Sequence, residues 1–253
     1  MAAPAKTSKT RGKPAKTPLA PPRAPALLGR LRRLAILLFL ASAVPVLLLR
    51  WVPPPASMFM LLDQAGAFLS GDWHYRVRYR WTPWKDISPQ AKLAVVAAED
   101  QTFAEHLGFD FKAISKALEK NRTSQKIRGG STITQQTAKN LFLYPGRSYL
   151  RKILEAYFTA LIELSWPKQR ILEVYLNIAE FGEGIYGVGA AGPAFFGKPA
   201  SRLGSQDAAR LAAVLPNPKL LRVERPSGYV LKRQEWIAGQ MRILSGRHVL
   251  DEL

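Results

Sequence analysis

Residues Leu34–Leu49 form an uncharged run, closed in front by Arg30, Arg32 and Arg33 and behind by Arg50. A membrane span needs about 20 apolar residues, and about 17 at the least. The run reaches that length if Leu31 and Val52 extend it while Arg50 snorkels to the interface beside Trp51. Pro45 would kink such a helix but is tolerated in a membrane. Two other readings stay open. Ala41-Ser42-Ala43 after a short apolar run suits a signal peptidase, and an apolar helix can also be a buried core element. The long basic stretch in front, the continuation through Val44–Leu49 and the Pro53-Pro54-Pro55 exit favour an anchor. The chain then divides into a tail (1–29), a span (30–52) and a body (56–253).

The tail is almost entirely Ala, Pro, Lys and Thr, which cannot bury enough apolar surface to offset ordering, so it is expected to be disordered. Residues 1–50 hold ten Lys or Arg and no acid, against 27 basic and 18 acidic residues beyond. The net charge of +19 is therefore largely a property of the tail, and the body is only moderately basic. Basic residues on the N-terminal side of the span put the tail in the cytoplasm and the body outside. An anionic partner is implied: phosphorylated substrate, anionic lipid or nucleic acid. A single span excludes a pore or transporter. The chain has no cysteine, so disulfides, thiolate metal sites and a thiol nucleophile are excluded. His74, His106 and His248 show no zinc-ligand spacing.

Within the body, His74–Trp81 alternates Tyr75, Val77, Tyr79 and Trp81 with Arg76, Arg78 and Arg80, which reads as a half-exposed strand. The rest reads helical. Ser88-Pro89 is a cap followed by proline at the first position, opening a helix through Ala98. Tyr149–Ser165 carries an apolar side and is broken by Pro167. Further helices are expected over Ile171–Leu176, Asp207–Leu215 and Tyr229–Leu244.

Four places could carry chemistry. Glu99-Asp100 ends an apolar helix, where desolvation can raise a carboxyl pKa to suit a general acid or base; a polar helix end is the plainer reading. Gly129-Gly130-Ser131-Thr132 precedes the helical stretch Ile133–Leu141. Its glycines would admit a ligand close to the backbone, and Ser131 would cap a helix whose N-terminus attracts phosphate. Ser131, Gln135 and Lys139 share a face; an ordinary capped helix explains the same residues. Arg151, Glu155, Thr159 and Glu163 recur every four residues, as in a solvated salt-bridge ladder, although Lys139, Arg147 and Lys152 beside these carboxylates would suit a diphosphate. Ser165-Trp166-Pro167-Lys168 matches Ser-x-x-Lys, but no Lys-Thr-Gly accompanies it and the segment reads as a helix junction.

Taken in order, these segments resemble the biosynthetic peptidoglycan glycosyltransferases, found alone or as the N-terminal module of bifunctional penicillin-binding proteins. Glu99-Asp100-Gln101-Thr102-Phe103 with His106, Gly108 and Asp110 is similar to the first signature of that family. GGSTITQQTAKNLFL (129–143) is similar to the second, and RKILEAYFTALIEL (151–164) and KQRILEVYLNIAEFGEGIYGVGAAGPAFFGK (168–198) to the third and fourth. The likeness runs from about Trp84 to Pro218. The chain stops where bifunctional members continue, so it is expected to be the monofunctional form.

The resemblance implies a mainly α, lysozyme-like catalytic lobe plus a smaller membrane-proximal lobe, after a single transmembrane helix in the bacterial inner membrane. It implies that lipid II is polymerised with inversion at MurNAc C1 and release of undecaprenyl diphosphate. Glu99 would be the base, with Asp100 raising its pKa, and Glu155 the second essential carboxylate. Gly130, Ser131, Gln135, Gln136 and Asn140 would hold the donor sugar; Lys139, Arg147 and Lys152 would hold the diphosphate. A divalent cation, Mg²⁺ or Mn²⁺, is implied, with Glu155 reaching it through the diphosphate. The implied partners are lipid II, the growing glycan strand, the membrane and other cell-wall synthesis proteins, and no nucleic acid. Apolar residues of Phe109–Leu118 and Leu141–Tyr144 would dip into the outer leaflet, and Asn121–Arg128 would form a lid. A lytic enzyme of similar shape and a basic lipid- or DNA-binding protein are the rival readings. The first would not need the basic cluster, and the second does not explain the signatures.

Overall fold

The structure is a computed structural model that describes residues 24–115, 119, 130–146, 148–246 and 249–251. The chain divides into two units, 1–42 and 43–253, and the division falls inside the first helix. That helix, α1 (Ala24–Leu48), is continuous through Pro45. Its stretch Leu28–Leu48 is long and apolar enough to cross a bilayer. It begins inside the segment expected to be disordered and ends before Val52.

The second unit is predominantly α-helical. In order it contains α2 (Met58–Leu69), β1 (Arg78–Tyr79), α3 (Pro89–Glu99), α4 (Ile133–Phe142), α5 (Tyr149–Ser165), α6 (Lys168–Ile178), β2 (Glu180–Gly182), β3 (Ile185–Tyr186), α7 (Val188–Phe196), α8 (Ser205–Val214) and α9 (Gly228–Ser245). The local signals behind these boundaries are simple. The Ser88 side chain accepts from the Ala91 amide, with Pro89 at the first helical position. Ser148 caps α5 through the Arg151 amide, and Ser227 caps α9. Each satisfies an amide that the first helical turn leaves unpaired.

The core is the meeting of α3, α8 and α9, with α6 packed on α4 and α4 on α5. Val96, Phe103, Ile171, Leu172, Leu176 and Ile237 are fully buried in it. The small sheet has the order β1-β3-β2, with β1 parallel and β2 antiparallel to β3. Only Arg78 and Tyr79 of the predicted strand pair with a neighbour. The alternation nonetheless holds over 75–81, aromatic and valine side chains half-buried and arginines exposed. Gly187 and Gly189 are needed where α7 begins. A Cβ on Gly187, at φ 77°, would lie 2.3 Å from the Asn177 carbonyl oxygen, and one on Gly189 2.2 Å from that of Arg80.

Helix α5 runs against this pattern. On α5 the buried residues are Glu155, Thr159 and Ile162, while Ile153 is 66% and Leu164 85% exposed. The polar stripe expected to be solvated is the inward one: the Glu163 side chain is 6% exposed.

Candidate active site

Helix α3 delivers Glu99 at its last turn. The Gln136 amide of α4 donates to Glu99 Oε2 at 2.8 Å, and the Tyr175 hydroxyl of α6 donates to Gln136 Oε1 at 3.1 Å. Tyr175 is buried, which pushes its phenol well above the usual range, so it remains a donor and fixes which way the Gln136 amide points. The other carboxylate oxygen, Oε1, is buried and has no hydrogen-bond partner among the described residues. Arg233 Nη2 of α9 lies 3.6 Å from it. Burial pushes the Glu99 carboxyl above its ordinary range. The Gln136 hydrogen bond and the charges of Arg233 and Lys139 pull it down, and Asp100 adds a smaller push upward.

Asp100 is committed elsewhere. Its carboxylate meets His106 Nε2 at 2.9 and 3.1 Å and accepts from the Ile133 amide at 3.0 Å. It therefore ties the end of α3 to the start of α4 and orders the two segments that carry the site. Thr132, not Ser131, caps α4, in a box with Gln135, and Thr132 Oγ1 also donates to the Gly108 carbonyl at 2.7 Å. Gln135 is buried and its Oε1 accepts from the Thr132 amide, so its side chain is spent on the cap. Ser131 is exposed one residue before it. A Cβ on Gly130 would meet only ordinary contacts with Ile114, at 3.5 Å or more, so the fold does not demand glycine there.

Lys139 lies on α4 beyond Gln136. Burial lowers its ammonium pKa first; Glu155 and Glu99 pull it up, and Arg151 and Lys152 push it down. One half-buried lysine thus lies within electrostatic range of both carboxylates. Glu155 is 3% exposed, with Arg151 Nη1 donating to it at 2.7 Å and Lys152 Nζ to its other oxygen. The Lys152 side chain is half-exposed, so its stem reaches solvent beside the cluster. Gln136, Lys139 and Asn140 line one cleft of about 170 Å³ with Phe59, Glu180 and Pro218. Arg147, Gly129, and the proposed lid Asn121–Arg128 lie outside the described residues. Lys168 of the Ser-x-x-Lys match donates to the His106 carbonyl and to Glu163, at 2.5 and 2.9 Å, consistent with a helix junction.

Among the described residues no three carboxylate or histidine side chains converge on one point, and both Glu155 oxygens already meet cations. The described side chains alone therefore do not make a divalent-ion cage. An ion beside Glu155 would depend on diphosphate oxygens for most of its ligands.

Arg233 is the residue sequence reasoning missed. Its guanidinium reaches the Ala98 carbonyl at 3.5 Å as well as Glu99, from a helix outside all four signatures.

A family model described as Transglycosylase matches residues 68–242. The chain belongs to the transglycosylase family. Transglycosylase relatives at 56% identity over 208 residues include proteins named biosynthetic peptidoglycan transglycosylase from Yersinia pseudotuberculosis serotype O:3 (strain YPIII) and Yersinia pestis (strain Pestoides F). The match covers 82% of this chain and 86% of each relative. The chain is accordingly an enzyme, a peptidoglycan glycosyltransferase of the monofunctional transglycosylase type. The span in α1 makes it single-pass in the inner membrane, with its catalytic body on the periplasmic side.

Proposed function

We propose that this transglycosylase polymerises lipid II, with Glu99 as general base. The 4-hydroxyl of the acceptor GlcNAc attacks C1 of the donor MurNAc. Its proton passes to Glu99, the new O–C1 bond forms from the opposite face, and the bond from C1 to undecaprenyl diphosphate breaks, with inversion. The observation that carries this reading is the Glu99 carboxylate itself: one oxygen is held by an oriented Gln136, and the other is buried and accepts no hydrogen bond from the described residues. An acceptor hydroxyl can supply what that oxygen lacks.

The diphosphate gains negative charge as it leaves. Lys139, Lys152 and, from the sequence, Arg147 would stabilise it electrostatically. Glu155 holds Arg151 and Lys152 in place and would contact a phosphate-bound Mg²⁺ or Mn²⁺. Gln136 and Asn140 would contact the donor sugar, with Ser131 and Gly130 at its edge. Asp100 and Gln135 support these residues through the hydrogen bonds they already make. The basic cluster favours transfer over lysis, because a hydrolase of finished glycan has no diphosphate to stabilise.

The test is lipid II consumption by the full chain in detergent. Glu99→Gln, which keeps the shape of the side chain, should lower kcat by about 10²–10⁴-fold without lowering the thermal midpoint. Polymer from both proteins would overturn the assignment of Glu99. No polymer from either, with cleavage of finished peptidoglycan, would replace transfer by lysis. Arg233→Met should move the acid limb of kcat/KM to higher pH. The base works when ionised, and removing a nearby cation makes ionisation harder. An unmoved limb would leave Arg233 a packing residue only.

A further inference from the structure

Gln136, which holds Glu99, lines the same cleft as Lys139, Asn140, Glu180 and Tyr186. Lys139 and Glu180 are the charged side chains among the described residues that line it. The reaction at Glu99 gives Lys139 a task and leaves Glu180 without one. The largest charge effects on Lys139 come from Glu155, Arg151, Lys152 and Glu99, and those on Glu180 from Lys219, Asp63 and Glu183. One cleft thus contains a cation and an acid in separate electrostatic settings.

The donors around Glu180 are committed elsewhere. The Tyr75 and Tyr186 hydroxyls donate to Asp63 Oδ2 at 2.5 and 3.2 Å, and Lys219 Nζ donates to Asp63 Oδ1 at 2.7 Å. Lys219 Nζ stays 3.9 Å from Glu180 Oε1. Asp63 therefore collects three donors, while Glu180 Oε1 is buried with no hydrogen-bond partner among the described residues. A buried acceptor without a donor is costly, and a fold that keeps one has a use for it. The chemistry of the site restricts what can fill it. A phosphate brings no N–H and is repelled by a carboxylate. A cationic ligand is opposed by Lys219. A metal ion finds no group of three carboxylate or histidine ligands among the described residues. A neutral O–H or N–H donor meets none of these objections, and on a glycan precursor such donors are sugar hydroxyls and acetamide groups.

We propose that Glu180 is a sugar-binding residue of this cleft, its Oε1 accepting from a hydroxyl or acetamide N–H of the lipid-linked glycan. Gln136 and Asn140 contact the same portion of the substrate, and Lys139 takes the diphosphate. With an acid for the sugar and a cation for the phosphate, a diphosphate-linked sugar is held one way round. The proposal rests on lipid II being the substrate and not on Glu99 being the base.

The test is equilibrium binding to the full-length chain in detergent, with lipid II and undecaprenyl diphosphate as probes. Glu99→Gln serves as the parent so that lipid II is not consumed. Adding Glu180→Met, which keeps the length of the side chain but offers no oxygen, should weaken lipid II binding by about ten-fold and leave undecaprenyl diphosphate binding unchanged. Glu180→Gln keeps one acceptor oxygen and should recover most of that affinity; it also carries the test should the methionine variant fold poorly. A lipid-linked disaccharide without the peptide should show the same loss as lipid II. Unchanged lipid II affinity in both variants would overturn the proposal, as would equal weakening of both probes, which would place the effect on the fold or the diphosphate. A loss that vanishes with the peptide-free probe would move the donor to the peptide and overturn the sugar assignment. A parent that binds undecaprenyl diphosphate but no lipid II would instead remove the substrate reading, and the proposal with it.

Discussion

Helices α3, α6 and α8 bury mainly apolar side chains, whereas α5 buries Glu155 and Thr159 beside Ile162, α2 turns the half-buried Asp63 and Gln64 inward beside the buried Met60, and both show apolar side chains to the outside. On α6, Ile171, Leu172, Tyr175 and Leu176 are inside; on α5, Glu155 and Thr159 are inside while Leu150, Ile153 and Leu164 are out. Helix α3 is buried all round from Ala91 to Ala97, but α5 and α6 are both amphipathic. The difference lies in what each side meets. The first kind closes a core by the hydrophobic effect. The second turns ionised and hydrogen-bonding groups inward, Glu155 and Thr159 on α5 and Asp63 and Gln64 on α2, which leaves apolar side chains outside.

The largest expected effect separates the two kinds directly. Leu172→Ala on α6 removes a fully buried side chain and should cost about 2–5 kcal/mol of stability. Ile153→Gln on α5 replaces a mostly exposed one and should change stability in detergent by less than about 0.5 kcal/mol. Thermal or denaturant melts of both variants would check this. A comparable loss from Ile153→Gln would mean that the outer face of α5 is packed after all, and the contrast would fail.

The same contrast marks how far the sequence could be read. The span of α5 from Tyr149 to Ser165 was legible to the residue, because Ser148 caps it and Pro167 stops it. Which side of it faces inward was not. Periodicity groups residues on one face but does not say what lies opposite, so a stripe of Arg151, Glu155, Thr159 and Glu163 looked like a solvated ladder. Helix α2 went unassigned because its two strongly polar residues, Asp63 and Gln64, are adjacent and give no polar period. Glu99 and Gln136 stand out in the sequence as candidates but not as a bonded pair. The double use of Asp100, bonded to His106 six residues on and to the Ile133 amide 33 residues on, required the fold. Arg233 required it most, being 134 residues from Glu99 in sequence and 3.6 Å away in space.

Burying polar groups for a site has a stability cost, and Glu180 measures it where α2 meets the sheet. Burial raises its carboxyl to about 7; Lys219 lowers it, and Asp63 and Glu183 raise it. Its Oε1 is buried without a hydrogen-bond partner among the described residues, and Lys219 Nζ stays 3.9 Å away. A carboxyl whose folded pKa is raised binds more protons folded than unfolded, so stability falls as pH rises from the unfolded pKa through about 7 and levels off above it. The sign is opposite to that of a salt-bridged carboxylate. Glu180→Gln removes the titration while keeping the shape. It should be near neutral at pH 5 and stabilising by on the order of 1–2 kcal/mol at pH 8. The full shift is discounted because part of the carboxyl stays within reach of water. That corresponds to a thermal midpoint about 2–8 °C above wild type at pH 8. Midpoints of the two proteins measured from pH 5 to 8 should therefore diverge with rising pH. Parallel curves would mean that Glu180 ionises without penalty, and that the polar inner side of α2 meets a wetter interior than its packing indicates.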